Sequence, residues 1–171
     1  MAKILMVIAQ RDFRDEEYEE PKEIFERAGF EVKTTSEHRG EAIGKLDAKA
    51  WVDLPFAEVR VEDFEAVVFV GGPGAAHYFQ DEETLDLARE AARANKLLAA
   101  ICIAPSILAN AGLLSGKKVT AFSTERENLE SKGALYTGNS VEVDGKLITA
   151  NGPAAAHQFG EKIVEALSSS G

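Results

Sequence analysis

The sequence predicts a three-layer α/β/α sandwich built on a mostly parallel sheet. Three observations carry that expectation. Short continuous apolar runs, KILMVIA at 3–9, AVVFV at 66–70 and LLAAI at 97–101, read as strands buried on both faces. Segments with helical spacing alternate with them, which is the pattern of a sheet wrapped on both sides. The 171 residues suffice for one full core and are short for two, so a single domain over 1–171 is expected.

After the first strand, DEEYEEPKEIFERAG (15–29) reads as a helix. Acids crowd its start, where the helix dipole favours them, Ile24, Phe25 and Ala28 mark one face, and Gly29 supplies the stop. FEVKTT (30–35) alternates like the next strand. Segment 36–63, which contains GKLDAKAWVDL, fits the alternation less well and is expected to be an extended excursion or edge hairpin. AVVFV then runs into GGPGAA. DEETLDLAREAARANK (81–96) is strongly periodic, with Leu85, Leu87, Ala88, Ala91 and Ala92 inward. LLAAI leads through Cys102 to a helix, PSILANAG (105–112), closed by Gly112. KVTAF (118–122) reads as a strand and TERENLESKG (124–133) as a charged helix ending in Gly133. VEVDGKLIT (141–149) looks like a hairpin turning at Asp144-Gly145, and a last helix runs from Pro153 to about Leu167. The tail SSSG is expected to fray. Repeats and linker-like segments are absent from the sequence.

Composition narrows the function. Asp and Glu number 29 against 19 Lys and Arg, a formal charge of -10, and no basic run appears. Nucleic acid is therefore not an expected partner, because binding a phosphate backbone needs clustered cations. A single cysteine forms no internal disulfide and asks for no oxidising compartment. The N-terminus has six apolar residues in a row before charges begin, too few for a signal peptide. The uncharged stretch 97–114 falls short of the ~20 apolar residues of a membrane span and contains Pro105, Ser106, Asn110 and Gly112. A cytoplasmic protein without membrane association is expected.

In an open α/β sheet, ligands gather beyond the carboxyl ends of the strands. Three loops leave such ends. In the first, LLAAI, Cys102 and the helix from Pro105 have the strand–residue–helix order of a nucleophile elbow. A helix N-terminus favours an anion by ~0.3–1 kcal/mol, so the thiol pKa is expected to be lowered. Core filler is the open alternative, since a lone Cys in an apolar run is usually inert. In the second loop, VGGPGAAHYF, glycines after a buried strand let backbone N–H groups approach a ligand. Gly72 and the amide of Ile103 are the candidate oxyanion donors; a tight turn needing positive φ is the alternative. GPGAAH lacks the third glycine of a dinucleotide fingerprint and GLLSGKK the spacing of a phosphate loop, so no cofactor is expected. The third loop carries five acids between Asp15 and Glu20. One of them turned inward would have a raised pKa and could hold or move a proton.

Taken together, AAICIAP followed by a helix and GLLSGKKVTAFST, VGGPGAA before it, and FRDEEYEEPKEIFERAGFEV at the start resemble the ThiJ/PfpI family. That family belongs to the class I glutamine amidotransferase-like superfamily, and LITANGPAAAHQFGEKIVEAL is similar to its deglycase branch. The resemblance implies a flavodoxin-like sheet with a nucleophile elbow. It implies Cys102 as the elbow cysteine, Glu17, four residues before Pro21, as the glutamate that hydrogen-bonds the sulfur, and Gly72 as the oxyanion-hole glycine. It also implies a homodimer or larger symmetric assembly.

The family histidine does not carry over. Protease-like members have it directly after the cysteine, where this chain has Ile103; deglycase-like members have it after the VTT-type strand, where this chain has Phe122. His77 and His157 are the auxiliary candidates, and His38 reads as a surface residue. No set of His, Cys and carboxylates has metal-ligand spacing, so no metal is expected. The resemblance implies a cysteine-dependent hydrolase or hydratase of small carbonyl compounds or glycated groups, with Glu17 as proton shuttle. A non-enzymatic redox sensor or stress chaperone using an oxidisable Cys102 is the competing reading. An intracellular cysteine peptidase and a scaffold with an unreactive thiol rank after these.

Overall fold

A computed structural model describes residues 1–169. Strand β1 (Lys3–Val7) leads through the short β2 (Arg11–Phe13) into helix α1 (Asp15–Arg27). Next come β3 (Glu31–Ser36), β4 (Gly40–Gly44), β5 (Lys49–Val52) and β6 (Leu54–Pro55). Strand β7 (Ala66–Phe69), helix α2 (Glu82–Arg93), strand β8 (Leu97–Ile101) and helix α3 (Pro105–Asn110) follow. The remainder is β9 (Lys118–Val119), α4 (Arg126–Ser131), β10 (Leu135–Tyr136), β11 (Val141–Asp144), β12 (Leu147–Ala150) and α5 (Ala156–Ser169).

Seven strands form the central sheet in the order β11-β12-β8-β7-β1-β3-β6. All neighbours in it are parallel except β11, which returns antiparallel to β12 through the Asp144-Gly145 turn. Its central strands are the ones with unbroken apolar runs. Ile4 to Ile8 and Ala66 to Val70 are all buried, because helices cover both faces of the sheet. The three-layer expectation holds. Among the described residues no helix is long and apolar enough to cross a membrane.

The departures have local causes. Segment 36–63 does contain a hairpin, β4 with β5, but β2 joins it in parallel to make a separate three-stranded sheet. A three-residue strand with two exposed positions has no readable period. Of KVTAF only Lys118–Val119 is strand, and it pairs with β10 rather than with the central sheet. Thr120 leaves the ladder because its N–H goes to the Thr149 hydroxyl, 3.0 Å away. The inward face of α1 is also not the one expected. Glu17, Tyr18, Pro21 and Phe25 are buried, whereas Ile24 is half-buried and Ala28 exposed. Of the SSSG tail, Ser168 and Ser169 continue α5, and Ser170 and Gly171 lie outside the described residues.

Asp15, buried at the first turn of α1, ties the small sheet to that helix. Its two carboxylate oxygens accept the N–H groups of Leu46 (2.9 Å) and Ala48 (2.7 Å) in the β4–β5 turn. Gly44 passes so close that a Cβ there would lie 2.5 Å from Asp15 Oδ1.

Candidate functional site

The carboxyl ends of β7 and β8 and the first turn of α1 converge on Cys102. Immediately after β8 the backbone turns through Cys102 at φ 65°, in the left-handed region that residues other than glycine rarely enter. Such a conformation costs about 1–2 kcal/mol and persists only where its surroundings hold it. Here they do. The Cys102 N–H donates to Ala150 O (2.9 Å), and its carbonyl accepts the N–H of Phe122 (2.8 Å). Three turn residues and then Pro105, at the first position of α3, complete the strained strand-to-helix turn that the sequence predicts.

The sulfur faces two amides and one carboxyl group. The N–H groups of Gly72 and Ile103 point at it, as an oxyanion hole would require. Glu17 reaches it from α1, on the buried stripe shared with Pro21 and Phe25. Pro21 has no N–H for the Glu17 carbonyl one turn back, so that helical bond is missing beneath the site. The Glu17 side chain is fully buried, and neither carboxyl oxygen makes a hydrogen bond of ordinary geometry. The groups closest to satisfying it are the Cys102 thiol and the Gly71 amide, which together offset part of the cost of burial.

Ionisation at this pair departs from expectation in an instructive way. Burial pushes Glu17 up to about 8, against the pull of the thiol, Arg14 and the Gly71 amide. Neighbouring acids matter little, since only Glu16 adds to the shift and it is the weakest cause. The Cys102 thiol is not lowered. Burial first, and then the charge of Glu17, push it up to about 12 in spite of the two amides. α3 has only six residues, and its dipole does not overcome the loss of water around the sulfur.

Two glycines make room for this arrangement. A Cβ on Gly71 would stand 2.5 Å from Glu17 Oε1 and 2.6 Å from both Cys102 Cβ and Ile101 O. Gly72 sits at φ 101°, and a Cβ on it would collide with the backbone of Arg14 and Asp12. The positive φ that the turn reading of Gly72 requires is present. Gly71 and Arg14 were not singled out from the sequence. The doubled glycine was visible, but only the fold shows that the first of the two lies between acid and thiol.

The histidines stay outside. His77 is exposed and lines a shallow cleft of about 370 Å³ with Glu37, His38, Asp81 and Glu83. His157 is exposed and lies 3.5 Å from Glu161, one helical turn on. Neither hydrogen-bonds the thiol. Phe122, 43% exposed, borders a cleft of about 380 Å³ beside the elbow, with Tyr136, Asn151 and Gly152 among its other walls. Among the described residues no three His, Cys, Asp or Glu side chains stand together as a metal site.

Comparisons with known proteins identify relatives of this fold. An uncharacterized protein of Methanocaldococcus jannaschii is 41% identical over 169 residues, covering 97% of this chain and 82% of that one. Protein dj-1beta of Drosophila melanogaster is 32% identical over 98% of this chain and 90% of its own length, and its crystal structure superimposes with a TM-score of 0.87. The crystal structure of a ThiJ/PfpI domain protein from Brachyspira murdochii gives a TM-score of 0.96 at 38% identity, covering 98% of this chain and 96% of that one. The family match itself extends over residues 2–166, and on that span the chain belongs to the DJ-1/PfpI family.

Proposed function

We propose that the protein is a cysteine-dependent hydrolase or hydratase of small carbonyl compounds or glycated groups, with Cys102 as nucleophile and Glu17 as proton shuttle. The observation that carries this reading is the buried, unpartnered Glu17 carboxyl against the thiol. The pair gives up its first proton near pH 8 and its second near 12, so mildly alkaline solution places a carboxylate beside a thiol. The carboxylate accepts the thiol proton as the sulfur bonds to the carbonyl carbon, then returns it to the carbonyl oxygen. S–H is thereby added across C=O, giving a neutral hemithioacetal. The amides of Gly72 and Ile103 stabilise the oxygen while it is negative. Glu17 so placed does the proton work that a base beside a cysteine usually does.

Methylglyoxal turnover by the purified protein tests this. Cys102→Ser is expected to abolish it, and kcat/KM should rise with pH through about 8 as Glu17 ionises. Glu17→Gln should cut the rate by ~100-fold and remove that limb. Glu19→Leu, exposed on the same helix, should change neither. Turnover that survives in Cys102→Ser removes the reading. The lack of an imidazole hydrogen-bonded to the thiol supports the redox alternative. A wild type without turnover that takes up two oxygens at Cys102 from mild peroxide, before Met6 in the buried β1 is touched, would favour it.

We infer also that the chain self-associates as a dimer or larger symmetric assembly and works on small molecules in the cytoplasm. In support, Trp51 and Leu46 on the small sheet are 64% and 58% exposed, and Cys102 is an unpaired thiol. Light scattering at micromolar concentration should give a mass well above the 18.5 kDa of one chain; 18.5 kDa would refute association.

A further inference from the structure

Arg14 is a basic residue that the fold brings to the Cys102 site without an evident task in proton transfer. Its backbone N–H donates to Gly71 O (2.9 Å), and Gly71 is the residue wedged between Glu17 and Cys102. A Cβ on Gly72 would strike that same Arg14 nitrogen, so the residue stands directly behind the oxyanion-hole glycine. Its guanidinium is half-exposed and fixed by a two-point contact with Glu16, Nε at 3.0 Å and Nη2 at 2.9 Å. That contact uses two of the five N–H donors and leaves three free. The Arg14 charge is felt at both Glu17 and Cys102. Glu17 does not need it at neutral pH, because burial keeps that carboxyl protonated. A fixed, half-exposed cation beside a half-buried nucleophile is suited to receive an anion.

We propose that Arg14 is the specificity-determining residue of this site, and that it selects small carbonyl compounds bearing a carboxylate next to the reacting carbon, as in 2-oxo acids, over neutral dicarbonyls. Glu16 holds the guanidinium in place and competes with the incoming carboxylate for it. The inference rests on Cys102 as the nucleophile, but not on turnover.

Its test therefore reads the thiol directly. Iodoacetate and iodoacetamide both alkylate a thiolate with loss of iodide, and they differ in that the first carries a carboxylate on the attacked carbon. The chain has one cysteine, so the second-order rates belong to Cys102. Their ratio on one protein at one pH cancels the thiolate fraction, and the same chain unfolded in guanidinium supplies the reference. The folded wild type is expected to favour iodoacetate by about tenfold relative to the unfolded chain, the size of a charge-assisted contact. Arg14→Met keeps the backbone N–H to Gly71, which a melting curve checks, and should return the ratio to the unfolded value. Glu16→Gln should raise it severalfold. A folded ratio no higher than the unfolded one, a preference that survives Arg14→Met, or a folded thiol that reacts with neither reagent overturns the assignment. A protein that shows the anion preference yet turns over no carbonyl would refute the enzymatic reading and leave this one standing. One that turns over glyoxal and glyoxylate equally, with an unchanged ratio in Arg14→Met, would do the reverse.

Discussion

Glu17→Gln is expected to raise the melting temperature at pH 8 by about 10 °C and to flatten its dependence on pH between 4.5 and 8. The sign follows from burial. The carboxyl ionises near 4.5 in the unfolded chain and only near 8 in the folded one. Below 4.5 it is protonated in both states and costs nothing. As pH rises through the window the unfolded chain gains a solvated carboxylate that the folded chain cannot match, so stability falls. At ~1.4 kcal/mol per pH unit, the interval amounts to about 4 kcal/mol by pH 8. Because the side chain is fully buried, solvent screening does not reduce that figure. Glutamine keeps the shape and removes the charge. The two proteins should melt together near pH 5 and part progressively above it. Parallel curves for wild type and variant would mean that Glu17 is ionised throughout, and the proposed shuttle would then have no proton to hold.

Gly72→Ala is expected to destabilise the protein by more than ~3 kcal/mol, summing backbone strain with overpacking. At φ 101° an alanine is strained by itself, and its methyl group meets backbone atoms of Asp12 and Arg14 instead of a flexible side-chain end. The chain contains its own control. Gly29, at φ 94°, has nothing within 4 Å of a Cβ, so Gly29→Ala carries the strain without the collision and should cost only ~1 kcal/mol. Denaturant melts of the two variants separate the terms. Equal losses would mean that the approach of α1 to the glycine loop is loose enough to give way, and the Gly72 amide would not be held on the sulfur.

How much of this was legible in the sequence differs from feature to feature. The elbow was legible as one of two readings, since a fully apolar strand, Cys102 and a helix-opening Pro105 suggest it while core filler stayed open, and the resemblance chose between them. The glycine loop was partly so. Gly72 stood out, while Gly71 needed the third dimension to acquire its meaning. Glu17 came from resemblance alone. Its spacing to Pro21 and Phe25, four and eight residues on, does place it on their face of the helix, yet five acids within the six residues 15–20 read most simply as a solvated run. The small sheet was only half readable, because β2 is three residues long and its pairing with β4 is distant in sequence. The direction of the thiol pKa was misread for a different reason. A helix start is visible in a sequence, whereas the loss of water around one sulfur atom is not.

The first turn of α1 has a consequence for how such a site can change. Glu17 lies on the stripe that carries Pro21 and Phe25 into the core, so only a side chain of its own shape, such as glutamine, replaces it without disturbing the interior. Arg14 and Glu16, at the same helix start, are only partly buried, and their side chains are held by each other. A single helical turn thus holds one position tied to the protein's integrity and two that are nearly free of it. If Glu17 carries the proposed proton transfer and Arg14 the proposed selectivity, the two can vary separately at neighbouring codons.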